Sequence, residues 1–330
     1  MKNAIFDAFR IAERRNAGLK RSQRVVGRKD DVVTQGDLEI GEAITTILFN
    51  LKDGLVIESE EHGKQTNIID ENDEAYYIAI DDIVGTNNYR VGDGMLPYCS
   101  MVVVFDGKNK KDGAYKYSDY LFAACIDYTT KTIFYTEKGL GRAEKYDLDG
   151  NRLGDSTNMK QDNTGLALTL STDVVSTQRG GSVGYAAGKE DTDVAVLPDE
   201  LSIVYRNFGI VDSACSVFEY AMVGMGIRNG YVSSGKKEHE LPLLYAFAKE
   251  AGLKMVDFDG KVYDDRTYNF NGNNAEVIVG SEYVVNKVIN CIRRQRIANK
   301  ELADTYAKVA ELKKERESRK VEEAGEAIGE

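Results

Sequence analysis

The sequence predicts a chain of mixed class: an α+β half, then an α/β half, then a charged helical extension. Three observations carry this. Two N-terminal stretches repeat apolar residues at helical spacing. A series of short apolar runs with tight connections follows, the mark of a mostly antiparallel sheet. Beyond residue 150 strand-like and helix-like segments alternate, and the last part of the chain mixes Glu, Lys and Arg with few apolar residues. The expected divisions are 1–150, 151–295 and 296–330.

Taken in order, residues 3–18 place Ile5, Phe6, Phe9 and Ala12 on one helical stripe. The basic loop "KRSQRVVGRKDD" leads to "VVTQGD" and a second helix over 37–51, with Leu38, Ile40, Ile44, Ile47 and Leu48 apolar. "GLVIESEEHG" reads as a strand entering an acidic turn. "AYYIAIDD", "YCSMVVVFDG", "YLFAACIDY" and "TKTIFYTEKGLG" read as successive strands. In the second half "LALTLST" and "LSIVYRN" read as strands, with a helix expected in the polar segment 173–196 between them. "SACSVFEYAMVGMG" and "LPLLYAFAKEAG" read as helices, the latter ended by Gly252. "LKMVDFDGK" and "AEVIVGS" are late strands. Val284, Val288 and Ile292 give a helix over 283–295. Leu302, Tyr306 and Val309 continue it as a thin stripe, read either as a solvated helix or as a pairing segment.

Composition excludes several functions. The chain of 330 residues is 42% hydrophobic and 29% charged, the balance of a globular protein. No apolar run reaches the length of a membrane span, and the N-terminus carries charges through its apolar part, unlike a secretory leader. Cys99, Cys125, Cys215 and Cys291 lack CxxC spacing and fit a reduced, cytoplasmic protein. Two histidines make a His-rich zinc site a poor expectation. The net charge of −11 argues against general nucleic-acid binding. Residues 1–30 nevertheless carry nine Lys/Arg against three Asp/Glu, either a solvated helix face or positive potential beside an anionic substrate.

The acids most suited to chemistry sit where one element meets another. Thr34 and Asp37 open a helix, Glu60 and Glu61 follow a strand, Asp81 and Asp82 end the next strand, and Glu240 opens a late helix. Buried carboxylates are costly unless their charge is offset. A hard cation such as Mg²⁺, which takes oxygen ligands, offsets it.

In the motifs "DVVTQGD" (31–37), "SEEHG" (59–63), "DDIVGT" (81–86), "DSACSVFEYAMVGMGIRNGY" (212–231), "HELPLLYAFAKEAG" (239–252) and "VDFDG" (256–260), the chain resembles the inositol monophosphatase and fructose-1,6-bisphosphatase superfamily of Mg²⁺-dependent, lithium-sensitive phosphatases. The resemblance spans residues 5–292 and implies the layered αβαβα sandwich of that superfamily. It implies a phosphomonoesterase acting on a small phosphorylated metabolite (sugar, inositol or nucleotide phosphate), with Mg²⁺ or Mn²⁺, in a homodimer. Glu60 and Asp81, with the Ile83 carbonyl, would hold the first metal, and Asp81 would bridge to a second. Asp37 and Thr86 would position the attacking water. Gly85, Thr86 and Asn87 would hold the phosphate, and Ser213 and Ala214 would lie beside the substrate. Metal-activated water would attack phosphorus in line.

The departures fall on the second metal. Val84 stands where the superfamily has an Asp, Glu240 is one methylene longer than its late Asp, and Asp82 replaces a proline. Three readings stay open: Asp82 or Glu240 rebuilds the site, the enzyme works with fewer ions, or the chain is a catalytically impaired relative that binds a phosphorylated ligand or a partner. Ser233 falls where inositol-specific members carry a hydroxyl-binding Glu, and Asp212 adds charge near the pocket.

Overall fold

The computed structural model describes residues 1–19, 33–68, 74–91, 95–111, 113–156, 174–178, 200–211, 213 and 215–326. The basic loop at 20–32, the strand expected at 166–172, Asp212 and Ala214 lie outside the described residues. Two compact units divide the chain, one of residues 1–180 and 208–286, the other of 181–207 and 287–330.

The first unit begins with α1 (Lys2–Ala17) and α2 (Gln35–Leu51), and Ile5, Phe6, Phe9, Ala12, Ile40, Ile44 and Leu48 are all buried as their spacing requires. Thr34 caps α2 and forms a capping box with Asp37. An eight-stranded sheet follows: β1 (Leu55–Ser59), β2 (Gly63–Thr66), β3 (Tyr76–Val84), β4 (Cys99–Asp106), β6 (Tyr120–Asp127), β7 (Thr132–Glu137), β8 (Glu144–Tyr146) and β9 (Arg152–Asp155), in the order β2-β1-β3-β4-β6-β7-β8-β9. It is antiparallel except for the β1–β3 pair. The short helix α3 (Thr86–Val91) follows β3, and β5 (Tyr115–Lys116) pairs with β14 (Thr267–Tyr268).

A second sheet holds β10 (Val174–Gln178), β11 (Gly209–Val211), β12 (Gly230–Lys236), β13 (Lys254–Val256) and β15 (Ala275–Gly280), in the order β11-β10-β12-β15-β13. Helices α5 (Ser216–Gly224) and α6 (Leu241–Glu250) share one apolar cluster with the facing sides of both sheets. Helices α1 and α2 share the other cluster, on the far face of the eight-stranded sheet. The layers of this unit are therefore helix, sheet, helix, sheet.

The second unit contains α4 (Ser202–Asn207) and most of α7 (Glu282–Glu326). Within it Arg296 pairs with Glu200 at 3.2 Å. Helix α7 runs without a break across the expected boundary near 296, and Ile297, Tyr306, Val309 and Leu312 on it are exposed.

One expectation is corrected. Residues 201–207 were expected as a strand and form α4, because a six-residue helix rich in Ile, Val and Tyr carries strand-like local propensity that tertiary context overrides. In the segment 173–196, where a helix is expected, residues 174–178 form β10 and pair with β11 and β12, and the other residues lie outside the described ones.

Strand β3 distributes the acids. Tyr77 and Ala79 face α5 and α6 while Ile78 and Ile80 face α1 and α2, the two-residue alternation of a strand buried on both sides. Asp81 and Asp82 therefore point to opposite layers. The β3–β4 register shifts between Asp81 and Val84, which sends Ile83 to the α1/α2 layer and Val84 to the α5/α6 layer.

Asp82 fits beneath α2 only because position 41 is glycine: a Cβ there would collide with Asp82 Oδ1. Gly41→Ala is expected to destabilise the protein by about 1–3 kcal/mol, although alanine is the better helix former by about 1 kcal/mol. The check is the urea midpoint at unchanged m-value.

Candidate active site

The site forms where β1, β3 and the turn before α6 meet. Glu60 leaves the end of β1 and Asp81 lies near the end of β3. The parallel pairing of these two strands puts both carboxylates at the same end of the sheet. A single 3-10 turn, Glu238–Glu240, joins β12 to α6 and delivers His239 and Glu240. Glu238 anchors the turn: its carboxylate accepts from Arg266 at 2.5 Å and its amide donates to Gly272 O at 2.8 Å. Pro242 then starts α6, where its missing N–H costs nothing.

Glu60, Asp81 and His239 each offer one donor atom, and these atoms lie within 4.8 Å of one another. His239 Nε2 is 3.1 Å from Asp81 Oδ2 and 3.5 Å from Glu60 Oε2. Its ring stacks on Phe270 at 5.3 Å, which fixes the imidazole's direction. Lys237 Nζ donates to the other oxygen of Glu60 at 2.5 Å. Burial opposes a charge on His239, yet the Asp81 hydrogen bond and the charges of Asp81, Glu60 and Glu240 hold its pKa up at about 9. Burial and the neighbouring Glu60 raise Asp81 to about 7, with His239 pulling the other way.

A second group adjoins through Ile83. Thr86 Oγ1 lies 3.0 Å from Ile83 O and 3.3 Å from Asp37 Oδ1, so one hydroxyl proton serves two acceptors. Asp37 Oδ2 accepts from the Thr34 amide at 2.7 Å and hydroxyl at 2.5 Å. Burial nonetheless raises Asp37 from 3.8 to about 6. Gly85 makes the turn at φ +84°, and a Cβ on it would press against Cys215 and the Pro97 carbonyl. Asn87 is exposed, whereas Asn88 donates to Pro97 O and to Ser213 O, both at 2.8 Å, and ties the Ser213 loop to α3.

The remaining acids stand apart from this pair of groups. Asp82 is not brought to Glu60 and Asp81: its Oδ2 accepts from Ser59 Oγ at 2.7 Å and the Glu61 amide at 3.3 Å, on the α2 side of the sheet. Burial raises its pKa well above the usual carboxylate value. Glu240 lies on the Asp81 side but is closed by Lys236, Ser216 and Tyr220. Val84 packs in the core cluster with Cys99 and Cys215, and the Cys215 thiol donates to its carbonyl at 3.4 Å. Ser233 is fully buried in β12. His239, Lys236 and Lys237 were not anticipated. The signal was present in "GKKEHEL", where two lysines and a histidine crowd the one acid singled out.

No protein-family model matches the chain, and no curated protein sequence does. Solved structures do. The chain is similar to an IMPase of Thermotoga maritima (16% identity, 90% of this chain and 96% of that one, TM-score 0.60). It is similar to the extragenic suppressor protein SuhB of Bartonella henselae (16% identity, 88% and 96%, TM-score 0.59). It is also similar to an IMPase/NADP phosphatase solved with Mg²⁺ and phosphate (17% identity, 82% and 85%, TM-score 0.57). These likenesses establish the fold. Among the described residues no helix is long and apolar enough to cross a membrane.

Proposed function

We propose that this chain, which has the inositol monophosphatase fold, is a divalent-cation-dependent phosphomonoesterase acting on a small phosphorylated metabolite. One observation carries the reading: Glu60 and Asp81, which sequence separates and β1–β3 pairing reunites, converge with His239 beside the Asp37–Thr86–Ile83 group. The donor set fits one divalent cation, Mg²⁺ or Mn²⁺, held by Glu60, Asp81 and His239 with the Ile83 carbonyl as a further oxygen. Such a cation would polarise a phosphoryl oxygen and acidify a water.

The chain's own residues do the rest. Asp37, with a pKa of about 6, is matched to take a proton near neutral pH, and Thr86 orients the group that gives it. The amides of Gly85 and Thr86 offer N–H donors to phosphate where the chain turns out of β3. Asn87 is exposed at the same place, and Ser213 is held against α3 through Asn88.

The test is phosphate release from sugar, inositol and nucleotide phosphates with Mg²⁺ or Mn²⁺, with chelator, and with lithium. Release that requires the cation is expected, and lithium is expected to suppress it. A chain silent across the panel overturns the reading. A second reading, a non-catalytic phospho-ligand-binding protein, is favoured by Lys237 and His239, which already engage Glu60 and Asp81. It predicts a silent panel together with saturable, cation-independent binding of one of the same phosphates.

A further inference from the structure

The acid cluster divides in two: Glu60 and Asp81 lie with His239 and the half-exposed Lys237, and Glu240 lies with the buried Lys236. Glu240 is 8% exposed and Lys236, four residues before it, is 6% exposed. Glu240 Oε2 accepts from Lys236 Nζ at 2.9 Å, from Tyr220 OH at 3.2 Å and from Ser216 Oγ. Three donors saturate that oxygen. Lys236 is equally committed, since a buried ammonium persists only beside its counter-charge. The strand geometry holds it there: β12 and β15 change register between Ser233 and Lys236, which places Lys236 at the strand end facing the turn that carries Glu240. On the same side of β3, Val84 offers no ligand atom and is packed among core residues.

Resting on the phosphatase reading above, we propose that the ammonium of Lys236 replaces a second divalent cation in this centre, so that the protein binds one divalent cation per chain, at Glu60, Asp81 and His239. Charge supports the count. Glu60, Asp81 and Glu240 carry three negative charges. Lys236, Lys237 and one divalent cation already carry four positive charges, with His239 neutral when it is a ligand, so the acids leave no charge for a second dication to offset. A second dication placed at Glu240 would lie against the Lys236 ammonium, whose charge repels it, and could not use Oε2 without displacing the donors there.

The experiment counts Mn²⁺ on the full-length protein by titration calorimetry, with the paramagnetic resonance of free Mn²⁺ as an independent count. The wild type is expected to bind one ion. Glu240→Gln, which keeps the shape of the side chain, is expected still to bind one ion, more weakly, because a negative charge near Asp81 and His239 is removed but no ligand is. Val84→Asp, which adds a carboxylate beside Asp81, is expected to remain at one ion while Lys236 is present. Two ions on the wild type, two on Val84→Asp, or a Glu240→Gln variant that loses its ion each overturns the proposal. Should Val84→Asp not fold, the wild type and Glu240→Gln still decide it. A protein that binds one Mn²⁺ but releases no phosphate overturns the phosphatase reading and leaves this count standing. One that binds two and releases phosphate does the reverse.

Discussion

Asp37→Asn is expected to lower phosphate release by roughly 10² to 10⁴, the range a positioned general base supplies, while making the cation-free protein more stable at neutral pH. Asparagine keeps the acceptor for Thr34 and a polar contact for Thr86, so the local geometry survives and the proton acceptor does not. The stability effect follows from the pKa. Folded Asp37 keeps its proton up to about 6, against an ordinary value of 3.8. Between those two values the folded chain binds more protons than the unfolded one, so this group makes stability fall as pH rises. At about 1.4 kcal/mol per pKa unit the loss is about 3 kcal/mol once Asp37 is fully ionised. Asparagine has no such loss. Urea unfolding in chelator at pH 4 and pH 8 should show the variant gaining on the wild type by about that amount at the higher pH. A gap that does not change with pH would remove the argument that burial tunes Asp37.

The largest stability effect is expected at Glu240. Glu240→Ala removes the counter-charge 2.9 Å from the buried Lys236 ammonium, and breaking such a buried pair costs about 3–5 kcal/mol. Although burial alone would raise it, Lys236, His239 and the Ser216 hydroxyl lower the Glu240 pKa below its ordinary 4.5. Its contribution is therefore present at neutral pH and is lost as pH falls through that depressed value. Removing both charges in Lys236→Met/Glu240→Ala should recover part of the loss, since the buried ammonium goes with its counter-charge, and the single variant Lys236→Met completes the cycle. Denaturation of the four proteins in chelator measures the coupling. If the double variant is no more stable than Glu240→Ala, the pair is not a unit.

Much of this site was legible along the chain. Asp37 and Thr34 announce themselves as a capping box, Glu60 and Asp81 as acids at strand ends, and Gly85 as a turn residue before Thr86. The lysines were not legible, because a lysine in a polar loop is ordinarily solvated, and nothing local says that Lys236 is buried. His239 was discounted because the chain has too few histidines for a zinc site, although one histidine suffices beside two carboxylates. Residue order left open whether Asp82 joins Asp81 at the metal. The strand's alternation separates them, one to the site and one under Gly41.

Residue order alone determined the helical stripes of α1 and α2, the buried run of β3 and the acids that follow strands, because periodicity and burial are local properties of the chain. Only the folded chain decided which acids share a space. The parallel pairing of β1 with β3 joined Glu60 to Asp81, the register shift at 81–84 turned Val84 into the core, and the turn before α6 brought Lys237 and His239 to carboxylates far away in sequence. Electrostatic partnership falls steeply with distance in space and is indifferent to distance along the chain.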